Sequence, residues 1–302
     1  MVEVREVAED GLAAWVELRG LCNPEPTSVE AYLDWKRQAE DAQWFTASLE
    51  GDDAGVAVAV LGWHSPPGVA RFELDVRPER RGHGVGSALL TTAGAWSRAG
   101  GCSELLGAVR EADPASLRWA ENRGFREVGR NSMLVLDLAR AELPEVAAPQ
   151  GIEMTTWAER PDLVRGIYAV AREAYPDVPG EGEAEMASFE EWLSADMEGT
   201  SDRPEATFLA LADGEVVGYA KLALSSARPT VALHDMTGVR RAWRGRGIAG
   251  ALKRAEIAWA KTNGYTRLET FNEERNEPIR RLNERHGYRP EPGQIIVRGP
   301  IA

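Results

Sequence analysis

"AWRGRGIAGAL", residues 242–252, repeats the pattern of "ERRGHGVGSAL", residues 79–89. Each stretch follows a run with strand alternation and opens a run with helical periodicity. Aligning Val76 with Val239 sets an offset of 163 (239 minus 76), and no gap interrupts it downstream. It pairs Arg81 with Arg244, Gly82 with Gly245 and Gly84 with Gly247, then Trp96 with Trp259, Arg118 with Arg281 and Gly124 with Gly287. Register held that far marks a tandem duplication of one domain.

The bulk properties agree with two ordinary globular domains in 302 residues. Formal net charge is −13, and both halves are acidic, which disfavours nucleic-acid binding. Cys22 and Cys102 stand alone and read as two core thiols, and no Cys/His cluster has metal-ligand spacing, so no metal is expected. No apolar run is long enough to cross a bilayer. No membrane association and a cytoplasmic location are therefore expected, with the oligomeric state open.

Within each half the same order of elements recurs. A short opening strand ("VEVREV", "GIEMTTW") precedes helices at about 11–21 and 29–41, then at about 161–173 and 187–197. Hairpins with acidic-Gly turns follow, then a strand ending at Val76 or Val239, the loop, a helix, a strand, a helix and a last strand. Lys253 and Arg254 fall off the apolar side of the helix after the second loop. The stretch 143–150 reads as a linker, which places the domains at 1–142 and 151–302.

The loops suit an anion. Gly82, Gly84 and Gly86 in one copy, with Gly245, Gly247 and Gly250 in the other, let backbone approach a ligand closely. The helix that follows offers unpaired N–H groups and the positive end of its dipole. Arg81, His83 and Ser87, or Arg244 and Arg246, add polar side chains. Residues 245–250 also match G-x-G-x-x-G, so a nicotinamide oxidoreductase is a remote alternative, though the βαβ context is missing.

The R-x-x-G-x-G/A loop between strand and helix resembles the acetyl-CoA loop of the GNAT N-acetyltransferase superfamily. A second signature supports it: "READPASLRWAENRGF" (110–125) and "FNEERNEPIRRLNERHGY" (271–288) sit at equal distances from their loops. The resemblance implies an α/β fold of mixed α+β type. It would hold two tandem domains, each a mostly antiparallel mixed sheet flanked by helices. It implies acetyl-CoA as cosubstrate, held by Val76 and Val239 on the strand ends. The loop groups of Arg81, Gly82, His83, Gly84, Val85, Gly86 and Ser87, and of Arg244, Gly245, Arg246, Gly247, Ile248, Ala249 and Gly250, would do the same. Asn272 and Asn276 match further coenzyme A contacts, Asn276 being equally suited to an ordinary helix N-cap.

The resemblance also implies a base on the strand before the loop. Asp235 is the first candidate and His234 the second, because alternate strand residues face opposite sides. Glu73 and Asp75, sharing a strand face with Arg71 and Arg77, read as a solvated face. The family's tyrosine acid is replaced by Asn283 in the second copy and Ala120 in the first, with Tyr219 as another possible acid. The second copy therefore reads as the catalytic one, and the first either as non-catalytic, binding coenzyme A structurally or shaping the acceptor cleft, or as acting separately. The expected reaction moves an acetyl group directly to a primary amine of a small molecule or peptide, cationic acceptors fitting the acidic surface. A non-catalytic acyl-CoA sensor is the alternative. Residues 175–186 read as an acidic connector or a cover over the acceptor.

Overall fold

The computed structural model describes residues 1–62, 65–178, 187–273 and 275–301. The first repeat runs β1 (Val2–Val7), α1 (Leu12–Cys22), α2 (Val29–Gln38), β2 (Asp41–Leu49), β3 (Asp52–Leu61), β4 (Val69–Val76), α3 (Val85–Ala99), β5 (Glu104–Arg110), α4 (Pro114–Glu121) and β6 (Arg126–Asp137). The second runs β7 (Glu153–Thr156), α5 (Val164–Ala174), α6 (Phe189–Asp196), β8 (Thr207–Ala212), β9 (Glu215–Leu224), β10 (Val231–Val239), α7 (Ile248–Thr262), β11 (Arg267–Glu273), α8 (Glu277–Arg285) and β12 (Arg289–Pro300). Most of the connector at 175–186 lies outside the described residues.

Local chemistry sets the boundaries. Glu50-Gly51 and Asp213-Gly214 both have positive φ at the two turn positions, the geometry that matches strand twist in a tight hairpin. Ser28 caps α2 by accepting from the Ala31 N–H, and Ser188 with Glu191 forms a capping box on α6. Gly84 and Gly247 open α3 and α7 in the left-handed region, at φ 87° and 82°.

Two compact units result. Unit 1 holds residues 1–130 and the end of the chain from Gln294, and unit 2 holds residues 131–293. The strand order is β1-β2-β3-β4-β5-β12 in unit 1 and β6-β11-β10-β9-β8-β7 in unit 2. Pairing is antiparallel except for β4 with β5 and β10 with β11. This departs from the expected division into 1–142 and 151–302. Gln294–Pro300 pair with Arg110–Glu104, and Asn131–Asp137 pair with Glu273–Arg267. Each repeat's last strand thus completes the unit built on the other repeat. The two pairings are identical at the 163 offset, so sequence pattern alone does not distinguish them.

In unit 1, α3 covers one sheet face through Val85, Leu89 and Ala93 against Phe45, Ala57 and Val76. Helices α1 and α2 cover the other, where Trp15 and Tyr32 meet Trp44, Val56 and Val58. Each buried Val, Leu or Phe among these contributes about 1.5–3 kcal/mol. In unit 2, α7 takes the first role and α5 with α6 the second. Lys253, expected off the apolar side of α7, is instead buried at 1% exposure. Its ammonium lies 3.6 Å from Glu256 and stacks over the Tyr288 ring.

Candidate functional site

The two loops have one geometry. Gly82 and Gly245 have φ of 81° and 75°, and open space lies where a Cβ would stand at all four of Gly82, Gly84, Gly245 and Gly247. The first-turn N–H groups of α3 and α7 lack intrahelical acceptors and face a positive dipole end, so both cradles fit a pyrophosphate. Val85 and Ile248 are buried anchors at 1% exposure, so only their backbone can serve a ligand. Arg81 Nε donates to the Val76 carbonyl at 3.3 Å and Arg244 Nε to Val239 at 2.9 Å. The strand-end carbonyls are therefore tied to the loops that follow them.

Other loop side chains are partly engaged. His83 Nδ1 sits 2.9 Å from the Arg81 carbonyl, and Arg246 stacks on Trp243. Ser87 accepts from Arg123 at 2.7 Å, which leaves its own O–H to donate. A Cβ on Gly86 would come within 3.3 Å of Trp119 on α4; Ala249 stands at its place in unit 2.

In unit 1 the parallel strands β4 and β5 pair only over Val69–Arg71 and Glu104–Leu106. Beyond that point they flank a cavity of about 350 Å³ that reaches the loop at Arg81 and Gly82. Glu73 and Asp75 line it, their side chains 35% and 21% exposed, and both are engaged by neighbouring side chains. Arg19 from α1 sits between them, its Nε 3.5 Å from Glu73 and 3.7 Å from Asp75. Tyr32 donates to Glu73 at 2.8 Å, and Asn23 donates to Asp75 at 3.0 Å. Burial pushes both carboxyls above the usual carboxylate range, against the pull of Arg19. Burial, with Asp75 nearby, also pushes the Cys22 thiol up to about 12. Arg77, expected to share the acidic face, pairs with Glu79 instead.

Unit 2 treats the same positions differently. Strand β10 carries a register shift between His234 and Met236, so Asp235 is an extra residue. Lys221 there faces Met236, as Val58 faces Glu73 in unit 1. Met236 and Gly238 thus replace Glu73 and Asp75. A Cβ on Gly238 would meet Ala174 at 3.1 Å and the Tyr219 ring at 3.3 Å, so packing fills this space. Asp235 reaches the α5–α6 face but pairs with Lys221 at 2.7 Å. Burial opposes the Lys221 charge, yet Asp235 and Asp202 outweigh it and raise its pKa.

His234, the second base candidate, faces α7. Its side chain is 2% exposed, with Nδ1 3.0 Å from Glu256 and Nε2 against the Tyr288 hydroxyl. Burial lowers its pKa. This enclosure corrects the reading of His234 as a cleft-facing base. Asn283 is fully buried and donates to Asn272 at 2.9 Å. It fastens α8 to β11, and its full burial, not the single bond, keeps it from a cleft. Asn276 occupies the N-cap of α8 without a side-chain cap bond, whereas Asp113 caps α4 through Ser116 and pairs with Arg81 at 3.3 Å. Tyr219 is buried at 1%, and burial raises its hydroxyl well above the usual tyrosine range.

Sequence reading thus missed Arg19, Asn23 and Tyr32. They lie in or just after the opening helices, which carry no motif and match between repeats only in element order. The available signal was two carboxylates at spacing two on the strand before the loop, paired there with the wrong arginines.

A profile of the acetyltransferase (GNAT) family matches residues 12–125 and 164–288. A mycothiol acetyltransferase of Nocardia farcinica is 27% identical over 274 residues, spanning 88% of this chain and 85% of that protein. An aminoglycoside N(6')-acetyltransferase type 1 of Stenotrophomonas maltophilia is 31% identical over 134 residues, 42% of this chain and 88% of that one. Among solved structures, a tandem GNAT protein from the clavulanic acid biosynthesis pathway superposes with a TM-score of 0.78. It covers 100% of this chain and 99% of its own at 20% identity, a likeness of fold alone.

Proposed function

The chain belongs to the acetyltransferase (GNAT) family, and we propose that it is an acetyl-CoA-dependent N-acetyltransferase whose reaction centre lies in unit 1, between β4 and β5. The observation that carries this reading is a contrast. Unit 1 sets two carboxyls in a cavity continuous with its anion loop, whereas unit 2 has Met236 and Gly238 at those positions, Gly238 packed against Ala174 and Tyr219. The loop N–H groups from Gly82 to Ser87 would hold the pyrophosphate of coenzyme A. Glu73 or Asp75 would accept the proton of an acceptor ammonium, leaving its nitrogen free to attack the thioester carbonyl carbon. As the carbon–nitrogen bond forms and the carbon–sulfur bond breaks, the thiolate departs, and once free it takes up the second proton, which the new amide nitrogen sheds. With Ala120 in place of a tyrosine, it leaves unaided, as a thiol of pKa near 8.5 allows.

A small-molecule amine is the proposed acceptor, in keeping with the mycothiol and aminoglycoside enzymes among the relatives. The proposal replaces the expectation that the second repeat is catalytic with Asp235 as base. Free-thiol release from acetyl-CoA over a panel of polyamines, aminoglycosides and peptide amines tests it. Glu73→Gln with Asp75→Asn is expected to lower kcat by about 10²–10⁴, and Asp235→Asn to change it less than about threefold. The opposite ranking moves the centre to unit 2, and binding without turnover in every case favours a sensor.

A further inference from the structure

We propose that Arg19 is a positioning residue for this centre: a single guanidinium, buried between Glu73 and Asp75, keeps one of the two carboxylates ionised and fixes both side chains toward the cavity. The inference rests on the unit 1 reading above, and it concerns a residue on α1 that neither the loop motif nor the second signature includes.

The geometry is specific. Arg19 is 8% exposed at its side chain and its Nη1 donates to the Glu25 carbonyl at 2.7 Å, which anchors the guanidinium from outside the pair. Its Nε is within 4 Å of both acids. The two carboxyls lie on one face of one strand, so without a cation between them each disfavours ionisation of the other. Other groups bear on the pair without entering it. Tyr32 on α2 donates to Glu73, Asn23 beyond α1 donates to Asp75, and Cys22 lies beside Asp75. From the loop and β5, Arg81 and Arg110 act on Asp75 at longer range. Burial raises both acids, so removing Arg19 must raise them further.

At neutral pH this arrangement does two things. Burial makes both carboxyls more basic, and the Arg19 charge opposes that rise. The arrangement also gives the acid limb of turnover a position set in part by the charge of Arg19.

The test uses the full chain with ¹³C-labelled carboxyls, followed by NMR titration, the Glu73 and Asp75 signals being assigned through Glu73→Gln and Asp75→Asn. Arg19→Gln is expected to move the first ionisation of the pair upward by about 1 pH unit or more, and Arg19→Lys to move it less. The acid limb of thiol release should follow, any contribution of the acceptor amine being common to all variants. Titrations unchanged in a folded Arg19→Gln protein overturn the proposal. If Arg19→Gln does not fold, Arg19→Lys, Asn23→Ser and Tyr32→Phe carry the test. Each weakens one of the contacts that favour the ionised pair, and an ionisation unmoved by all three overturns it equally. Wild-type turnover in Glu73→Gln/Asp75→Asn sinks the unit 1 reading instead, whatever Arg19 does to the titration.

Discussion

Replacing Ile295 and Val297 by alanine should destabilise the half of the molecule that begins at residue 1, although both residues belong to the second repeat. Ile295 is 5% exposed and Val297 2%, and they pack with Leu105, Ala120 and Phe125 in the core of unit 1. The two changes delete buried carbons worth about 4 kcal/mol at 0.8 kcal/mol per methylene, with a cavity term added. A domain holds only about 5–15 kcal/mol in all. At a slope near 2 kcal/mol per molar urea, the midpoint of unit 1 should fall by about 2 M. A trypsin pulse at intermediate urea, with peptides mapped by mass spectrometry, reads which half opens. First cuts within residues 1–130 are expected. First cuts confined to 151–293 would refute the strand exchange and return each last strand to its own repeat.

Gly84→Val places a branched side chain at φ 87°, a strain of about 1–2 kcal/mol that the loop relieves by turning its N–H groups away. The KM for acetyl-CoA should rise roughly tenfold, read from initial rates. Lys221→Met strands Asp202, whose side chain is 5% exposed, and should cost about 3–5 kcal/mol in urea unfolding. Adding Asp202→Asn should recover part of that loss, and no recovery would mean the pair is not the cause. Burial holds the folded pKa of His234 below its ordinary value. The unfolded chain therefore binds the proton first, and this contribution to stability is complete above about pH 6.5 and is lost as pH falls through the folded value. The slope is at most about 1.4 kcal/mol per pH unit for one group. His234→Gln should flatten it, His286 leaving a smaller residue of the same sign; unfolding curves between pH 5 and 7.5 would show an unchanged slope if His234 were not responsible.

The sequence alone determined the duplication, the hairpin turns and both anion loops, because each depends on local requirements. A left-handed backbone needs Gly82, Gly84, Gly245 or Gly247, whatever surrounds it. Family membership followed from the same local signals. Tertiary structure decided the matters on which function turns. Two last strands with equivalent residues could complete either repeat, and the fold exchanges them. Glu73 and Asp75 read as solvated beside Arg71 and Arg77, since nothing in β4 announces that Arg19, Asn23 and Tyr32 will arrive from the opening helical region some fifty residues earlier. In unit 2 a single inserted residue at the bulge turned Asp235 onto Lys221 and left His234 enclosed by α7. A carboxylate's chemistry depends on its neighbours in space, and those neighbours are non-local in the chain.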